Sequence, residues 1–222
     1  MILTTAIIGV GSIGSTIARH LVHADETVVV AARDASHAEA LAQQLGPLAR
    51  ASSVDYAIAT ADVVVLAVWL DTIKELIAKY ASLFENKVVI DPSNPVGFDA
   101  NGQIIRTLPD DQSAGSIVAS LLPAGAHYVK AFGTLSEKAL AGNANRAPQR
   151  AVLFYATDDD EAAATAERLI RAAGFDPFKV GGVAAAVRIE MPGGDLHQYG
   201  SNGEVLDLDE ARTAIGSKEV PA

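Results

Sequence analysis

The segment Gly9-Val10-Gly11-Ser12-Ile13-Gly14 has the most definite chemical spacing in this chain. It follows an apolar run, Ala6-Ile7-Ile8, and opens a stretch in which Ile13, Ile17 and Leu21, with Ala18 and Val22, stripe one helical face. Strand, glycine turn and helix in that order build an anion site from backbone alone. Gly9 permits the tight turn, Gly11 lets a pyrophosphate approach the main chain, and Gly14 lets helix and strand pack closely. The N–H groups of the first helical turn and the helix dipole hold the phosphates, so no basic side chain is required. The expected ligand is a dinucleotide contacted by all six residues.

The end of the second strand selects between dinucleotides. An acidic residue about 20 positions on accepts from the ribose 2′-hydroxyl in NAD-binding folds. Here the β-branched run Thr27–Ala32 ends instead on Arg33, whose planar fork suits a 2′-phosphate. Ser36 and His37, at the next helix start, add contacts to the same phosphate. The expected cofactor is NADP(H); Asp34, read in a shifted register, is the alternative NAD acid.

Three further positions are candidates for the reacting end. Asn94-Pro95 follows the strand Lys87–Ile90 and so stands on the edge where open α/β sheets bind ligands. Trp69 follows the strand Asp62–Val68 and would wall a nicotinamide, ordinary core packing being the alternative. His197 lies in the glycine-bounded loop Gly193–Gly200 beside Asp195 and Tyr199, where an imidazole could move a proton at an acceptor; a surface or interface histidine is the plainer alternative. His20 and His23 share a helix face without a third ligand, so no metal is expected. No serine has the elbow context of a nucleophile.

These candidates need elements to hold them, and the chain supplies an alternation of strand-like and helical runs. Strands are expected near Ala6–Ile8, Thr27–Ala32, Ala51–Val54, Asp62–Val68, Lys87–Ile90, Tyr128–Ala131, Ala151–Ala156 and Phe178–Val180. Helices fall between most of them, and a Gly/Asn/Asp loop follows Pro95. The fold class is α/β, a doubly wound parallel sheet with a short C-terminal cap segment. Residues 1–182 form the dinucleotide-binding domain. Residues 183–222 are too few for a second core and read as a small cap or interface segment.

Composition bounds the partners. The chain has 222 residues, half of them hydrophobic, with 17 Lys+Arg against 27 Asp+Glu, a net charge of −10. That balance argues against nucleic acid and anionic membrane surfaces, which reward basic patches. With no cysteine there is no disulfide and no thiolate chemistry. The apolar runs are strand-sized and the first residues lack a basic leader, so a cytoplasmic location is expected.

With these residues in hand, the chain resembles the NADP oxidoreductase, coenzyme F-420-dependent family, whose fold is an NAD(P)-binding Rossmann domain. The likeness covers roughly residues 4 to 182. It is carried by Gly9–Gly14, by Ala32-Arg33 for the family's Ser-Arg, by Asp62–Trp69, by Asn94-Pro95 and by Val129-Lys130-Ala131-Phe132-Gly133-Thr134. STEAP-type ferric reductase domains share the scheme. The resemblance implies cofactor contacts from Ala67, Val68, Trp69, Asn94, Pro95 and Ala131, with hydride transfer to a small-molecule electron acceptor such as coenzyme F-420, FMN or FAD, in a homodimer. The sequence departs from the family at Ala32, at Trp69 where a proline is usual, at Gly133 where an asparagine is usual, and through the tail. Two rivals stand beside this reading. A pyrroline-5-carboxylate or β-hydroxyacid-type reductase adds a large helical domain, for which too little chain remains (Lys218 is the one lysine beyond Lys179). A non-catalytic NADP sensor would bind without turnover.

Overall fold

The computed structural model describes residues 3–216. Met1 and Ile2 of the first expected segment, and residues 217–222 of the second with Lys218, lie outside the described residues. The chain begins β1 (Thr5–Ile8), α1 (Ser12–His23), β2 (Val28–Ala31), α2 (Ala35–Leu45), β3 (Ala49–Ala51), α3 (Val54–Thr60), β4 (Val63–Leu66), α4 (Leu70–Tyr80), a 3-10 turn (Ala81–Phe84) and β5 (Val88–Asp91). A hairpin of β6 (Val96–Phe98) and β7 (Ile104–Arg106) follows. Then come α5 (Ala114–Leu121), β8 (His127–Lys130), α6 (Glu137–Gly142), β9 (Val152–Ala156), α7 (Asp160–Ala172), β10 (Asp176–Gly181), a second 3-10 segment (Val183–Ile189) and α8 (Leu208–Gly216).

Eight strands form one sheet in the order β10-β9-β8-β5-β4-β1-β2-β3. β1 pairs in parallel with both β2 and β4, Ile8 lying opposite Ala31 on one side and Leu66 on the other. The chain therefore leaves β1 in one direction, reaches β3, and returns to the opposite side of β1 as β4. That reversal opens a crevice at the carboxyl ends of β1 and β4, where α/β sheets take ligands. β9 joins β8 antiparallel, and β10 runs parallel to β9. The sheet is thus mostly, not wholly, parallel.

Period-two alternation builds two cores. Ile7, Val28, Val30, Val63, Val65 and Ile90 pack under α1, α2 and α7, while Ala6, Ile8, Val29, Val64, Leu66 and Val89 pack under α3, α4 and α5. The expected third strand shifts from Ala51–Val54 to Ala49–Ala51, because Val54 already begins α3 with Asp55 in its favourable first turn. The loop expected after Pro95 contains the hairpin, Val96 opposite Arg106 and Phe98 opposite Ile104. The described part of the tail packs a small third cluster, with Ala186, Ile189, Leu196 and Ala211 against Val152, Phe154 and Ala156 of β9.

Candidate active site

The glycine turn is built as its spacing requires. Gly9 adopts φ +99, and a Cβ there would meet the Ala67 oxygen at 2.3 Å and Val68 Cγ1 at 2.6 Å. A Cβ on Gly14 would stand 2.0 Å from the Gly9 oxygen. Both positions are glycine because α1, β1 and the loop after β4 are pressed together. Gly11 differs: nothing lies within 4 Å of where its Cβ would be, so the main chain faces open space there. Gly11 is also the N-cap of α1 and offers no side chain to its N–H groups. The loop is braced from behind by Ser15, whose hydroxyl donates to the Val10 oxygen at 2.7 Å. Ser12 is exposed, and Val10 and Ile13 are half-buried. An open backbone cradle at an uncapped helix start fits a pyrophosphate.

Beyond β2, Asp34 caps α2. Its Oδ1 accepts from the Ser36 N–H at 3.0 Å and from the Ser36 hydroxyl at 2.7 Å, bonds that hold its carboxyl below the usual range. Asp34 is therefore turned to its own helix and is not paired with Arg33. Among the described residues Arg33 is exposed and makes no ion pair or hydrogen bond. Ser36 has its hydroxyl proton committed to Asp34. His37 stays exposed on the first turn of α2.

The loops after β4, β5 and β8 line the other side of the crevice. Ala67 and Val68 are half-buried against Gly9. Trp69 is the N-cap of α4 and is 58% exposed, edge-on to Phe98 at 6.3 Å between centroids, so the core-packing alternative does not hold. Asn94 Nδ2 donates to the Gly133 oxygen at 3.0 Å, and its Oδ1 accepts from Met191 N–H at 2.9 Å. Its amide thus joins three loops. Pro95 is buried and its oxygen receives the Thr107 N–H, closing the hairpin. Ala131, expected at the cofactor, is a buried core residue, with its N–H on the Asp91 oxygen. Phe132, next in line, holds φ +67 while buried, a costly conformation for a bulky residue and one that clusters at functional sites. Gly133 has no room for a side chain, since its Cβ would stand 2.4 Å from the Pro92 oxygen.

Beneath these loops lies a cluster that motif reading did not find. Lys130 Nζ donates to Asp91 Oδ2 at 2.9 Å and to the Ser93 oxygen at 2.5 Å, with Glu190 Oε1 at 3.7 Å. Tyr128 donates to Asp91 Oδ2 at 2.8 Å, and burial pushes its hydroxyl well above the usual tyrosine range. Glu190, from the tail, accepts from Ser113 Oγ (2.9 Å), Ala114 N–H (3.1 Å) and Gly115 N–H (2.7 Å), capping α5. The available signal was Lys130 itself: a lysine in the apolar run Tyr128–Ala131 demands a buried partner.

His197 is 1% exposed. Its Nδ1 accepts from the Tyr199 N–H at 3.2 Å, its ring also bonds the backbone of Gly133, and Tyr199 stacks on it at 5.5 Å. Burial lowers its pKa to about 4. The loop histidine is therefore buried and braces its loop against Gly133, so the surface alternative does not hold. Arg188, paired with Asp195 at 2.9 Å, fixes the same loop.

Two outcomes follow for stability. Glu190→Ala costs about 3–5 kcal/mol in urea unfolding, because it strips one carboxylate from a buried Lys130 and uncaps α5; Glu190→Gln, which keeps an acceptor for α5, costs clearly less. His197 binds a proton less readily folded than unfolded. Its contribution is complete above pH 6.5 and lost as pH falls towards 4, amounting to about 3 kcal/mol. His197→Gln flattens that part of the stability profile.

Comparison with known proteins agrees with this fold. Residues 4–95 match the family described as NADP oxidoreductase coenzyme F420-dependent. The Val129–Thr134 run and the rest of the expected likeness lie beyond that span. Metalloreductase STEAP3 of Rattus norvegicus is 30% identical over 184 residues, 83% of this chain, and the chain spans only 35% of that protein's length. A hypothetical protein of Sinorhizobium meliloti superposes with TM-score 0.80 at 30% identity over 92% of this chain and 95% of its own. A protein of Arthrobacter sp. FB24 described as a putative F420-dependent NADP-reductase shares the fold, with TM-score 0.73 at 23% identity over 83% of this chain and 87% of its own. The likeness to the NADP oxidoreductase coenzyme F420-dependent family thus lies in residues 4–95, which carry the glycine turn and the loops after β4 and β5.

Proposed function

We propose that the protein is an NADPH-dependent reductase of a flavin-like acceptor, coenzyme F-420, FMN or FAD. The observation that carries this reading is the open glycine cradle at Gly11 with an uncommitted guanidinium at Arg33 across the β1–β2 edge. Gly9, Gly11 and Gly14 with the start of α1 would hold the pyrophosphate, and Arg33 would read the 2′-phosphate. Asp34, fully engaged with Ser36, leaves that arginine unopposed. When bound, NADPH supplies a hydride that, with one solvent proton, reduces an oxidised flavin or deazaflavin to its dihydro form and leaves NADP⁺.

The chain's own part is alignment. The loops after β5 and β8 and the tail are tied into one frame by Asn94, His197 and Glu190, and a fixed frame is what hydride transfer needs, with reacting atoms about 3–3.5 Å apart. No side chain need exchange a proton with the dihydronicotinamide, which agrees with a neutral His197 whose nitrogens are engaged.

Anaerobic mixing with NADPH and, in turn, coenzyme F-420, FMN, FAD and ferric chelates should give loss of absorbance at 340 nm with a flavin-like acceptor. Silence with all of them overturns the reductase reading and favours an NADP sensor. Arg33→Ala should raise the NADPH dissociation constant about tenfold or more and leave NADH within about twofold. An equal effect on both would remove Arg33 from the 2′-phosphate.

A further inference from the structure

A large aromatic pair lies exposed beside the nucleotide crevice. Trp69 and Phe98 are 58% and 61% exposed, although each is a residue that folding ordinarily covers. Their position is not arbitrary. Trp69 directly follows Val68, whose Cγ1 is pressed to the Gly9 turn, and Phe98 stands on the hairpin that begins at Asn94-Pro95. Both rings therefore belong to the loops after β4 and β5, at the carboxyl edge where the reacting end of a dinucleotide must meet its acceptor.

The pair is also braced. The two rings meet edge to face at 75°. The hairpin is anchored by Thr107 N–H on the Pro95 oxygen, and by Arg106, which donates to the Pro192 oxygen at 2.9 Å and the Gln112 oxygen at 2.6 Å. Ile104, cross-strand partner of Phe98, extends the apolar surface on the same face. A braced, water-facing aromatic surface gains when a flat ring covers it.

We propose that Trp69 and Phe98 form the platform for the tricyclic ring of the acceptor, making them its specificity-determining residues; this rests on the flavin-like reductase reading above. The commitment to a small planar ring, in place of a second copy of the chain, comes from the patch being continuous with the Gly9 turn through Val68. Hydride transfer requires the acceptor ring to lie against the nicotinamide, and this is the exposed aromatic surface that adjoins it along the chain.

Trp69 is the chain's one tryptophan, so its emission reports this site alone. Titrating the NADP⁺-loaded protein with FMN, FAD and coenzyme F-420, corrected for absorption with free tryptophan amide, should give saturable quenching with at least one. Phe98→Ala should weaken that binding about three- to tenfold, with the NADPH dissociation constant unchanged within about twofold. Trp69→Ala should raise the acceptor KM by a similar factor. Absence of saturable quenching by all three overturns the platform. So does turnover with an acceptor KM that neither variant alters, an outcome that would leave the reductase reading standing. Binding with quenching but no reduction of any acceptor would keep the platform and remove the reductase. A change in oligomeric state by light scattering in the variants, with flavin binding untouched, would make the patch a subunit contact and overturn the proposal.

Discussion

A buried lysine between two carboxylates is the constraint on which the rest of this structure hangs. Lys130 lies at the end of β8, Asp91 at the end of β5, and Glu190 comes from the far tail. One cation cannot balance two anions in a dry interior. The surplus charge is met by the start of α5, whose Ala114 and Gly115 N–H groups and Ser113 hydroxyl point at Glu190. Sheet, helix and tail are thus bound by a single electrostatic requirement. The neighbouring Asn94 and His197 bonds, to Gly133 and Met191, continue the same join upward to the edge where ligands bind.

The nucleotide side solves a different electrostatic problem. A chain with a net charge of −10 repels a dinucleotide at long range. The glycine turn avoids the conflict by offering peptide dipoles, and Asp34, the nearest carboxylate to Arg33 along the chain, is occupied by Ser36. Attraction is kept local. The strained Phe132 and the cramped Gly133 mark the same edge from the β8 side. In place of the asparagine usual in the family, Gly133 gives up a side chain so that the Pro92 backbone can close in.

How legible these parts were in the sequence follows from how each is encoded. The β1–α1–β2 unit and its cradle are written in consecutive residues, with the period changing from strand to helix across three glycines, and they were legible almost to the residue. The hairpin was not: its strands are three residues long, flanked by Asn, Asp and Gly, and its large side chains face water, so no apolar alternation marks it. The tail hid for another reason. Its anchors are single polar residues whose partners are far away in sequence, Glu190 with Ser113 across 77 positions and Met191 with Asn94 across 97. Periodicity carries no trace of such pairs. His197 was visible as a histidine near glycines but not as a buried one, because the packing that removes its water is supplied by Gly133 and Tyr199.

Those long separations also weigh on assembly. The Gly9 turn is built from β1, α1 and the loop at Ala67, all within the first third of the chain. Glu190 lies far beyond it. Without Glu190, Lys130 has Asp91 alone, and the start of α5 lacks its carboxylate. The glycine turn is therefore a structure of short sequence separation and the join at Glu190 one of long separation, so the two differ sharply in the chain entropy that each must overcome to form.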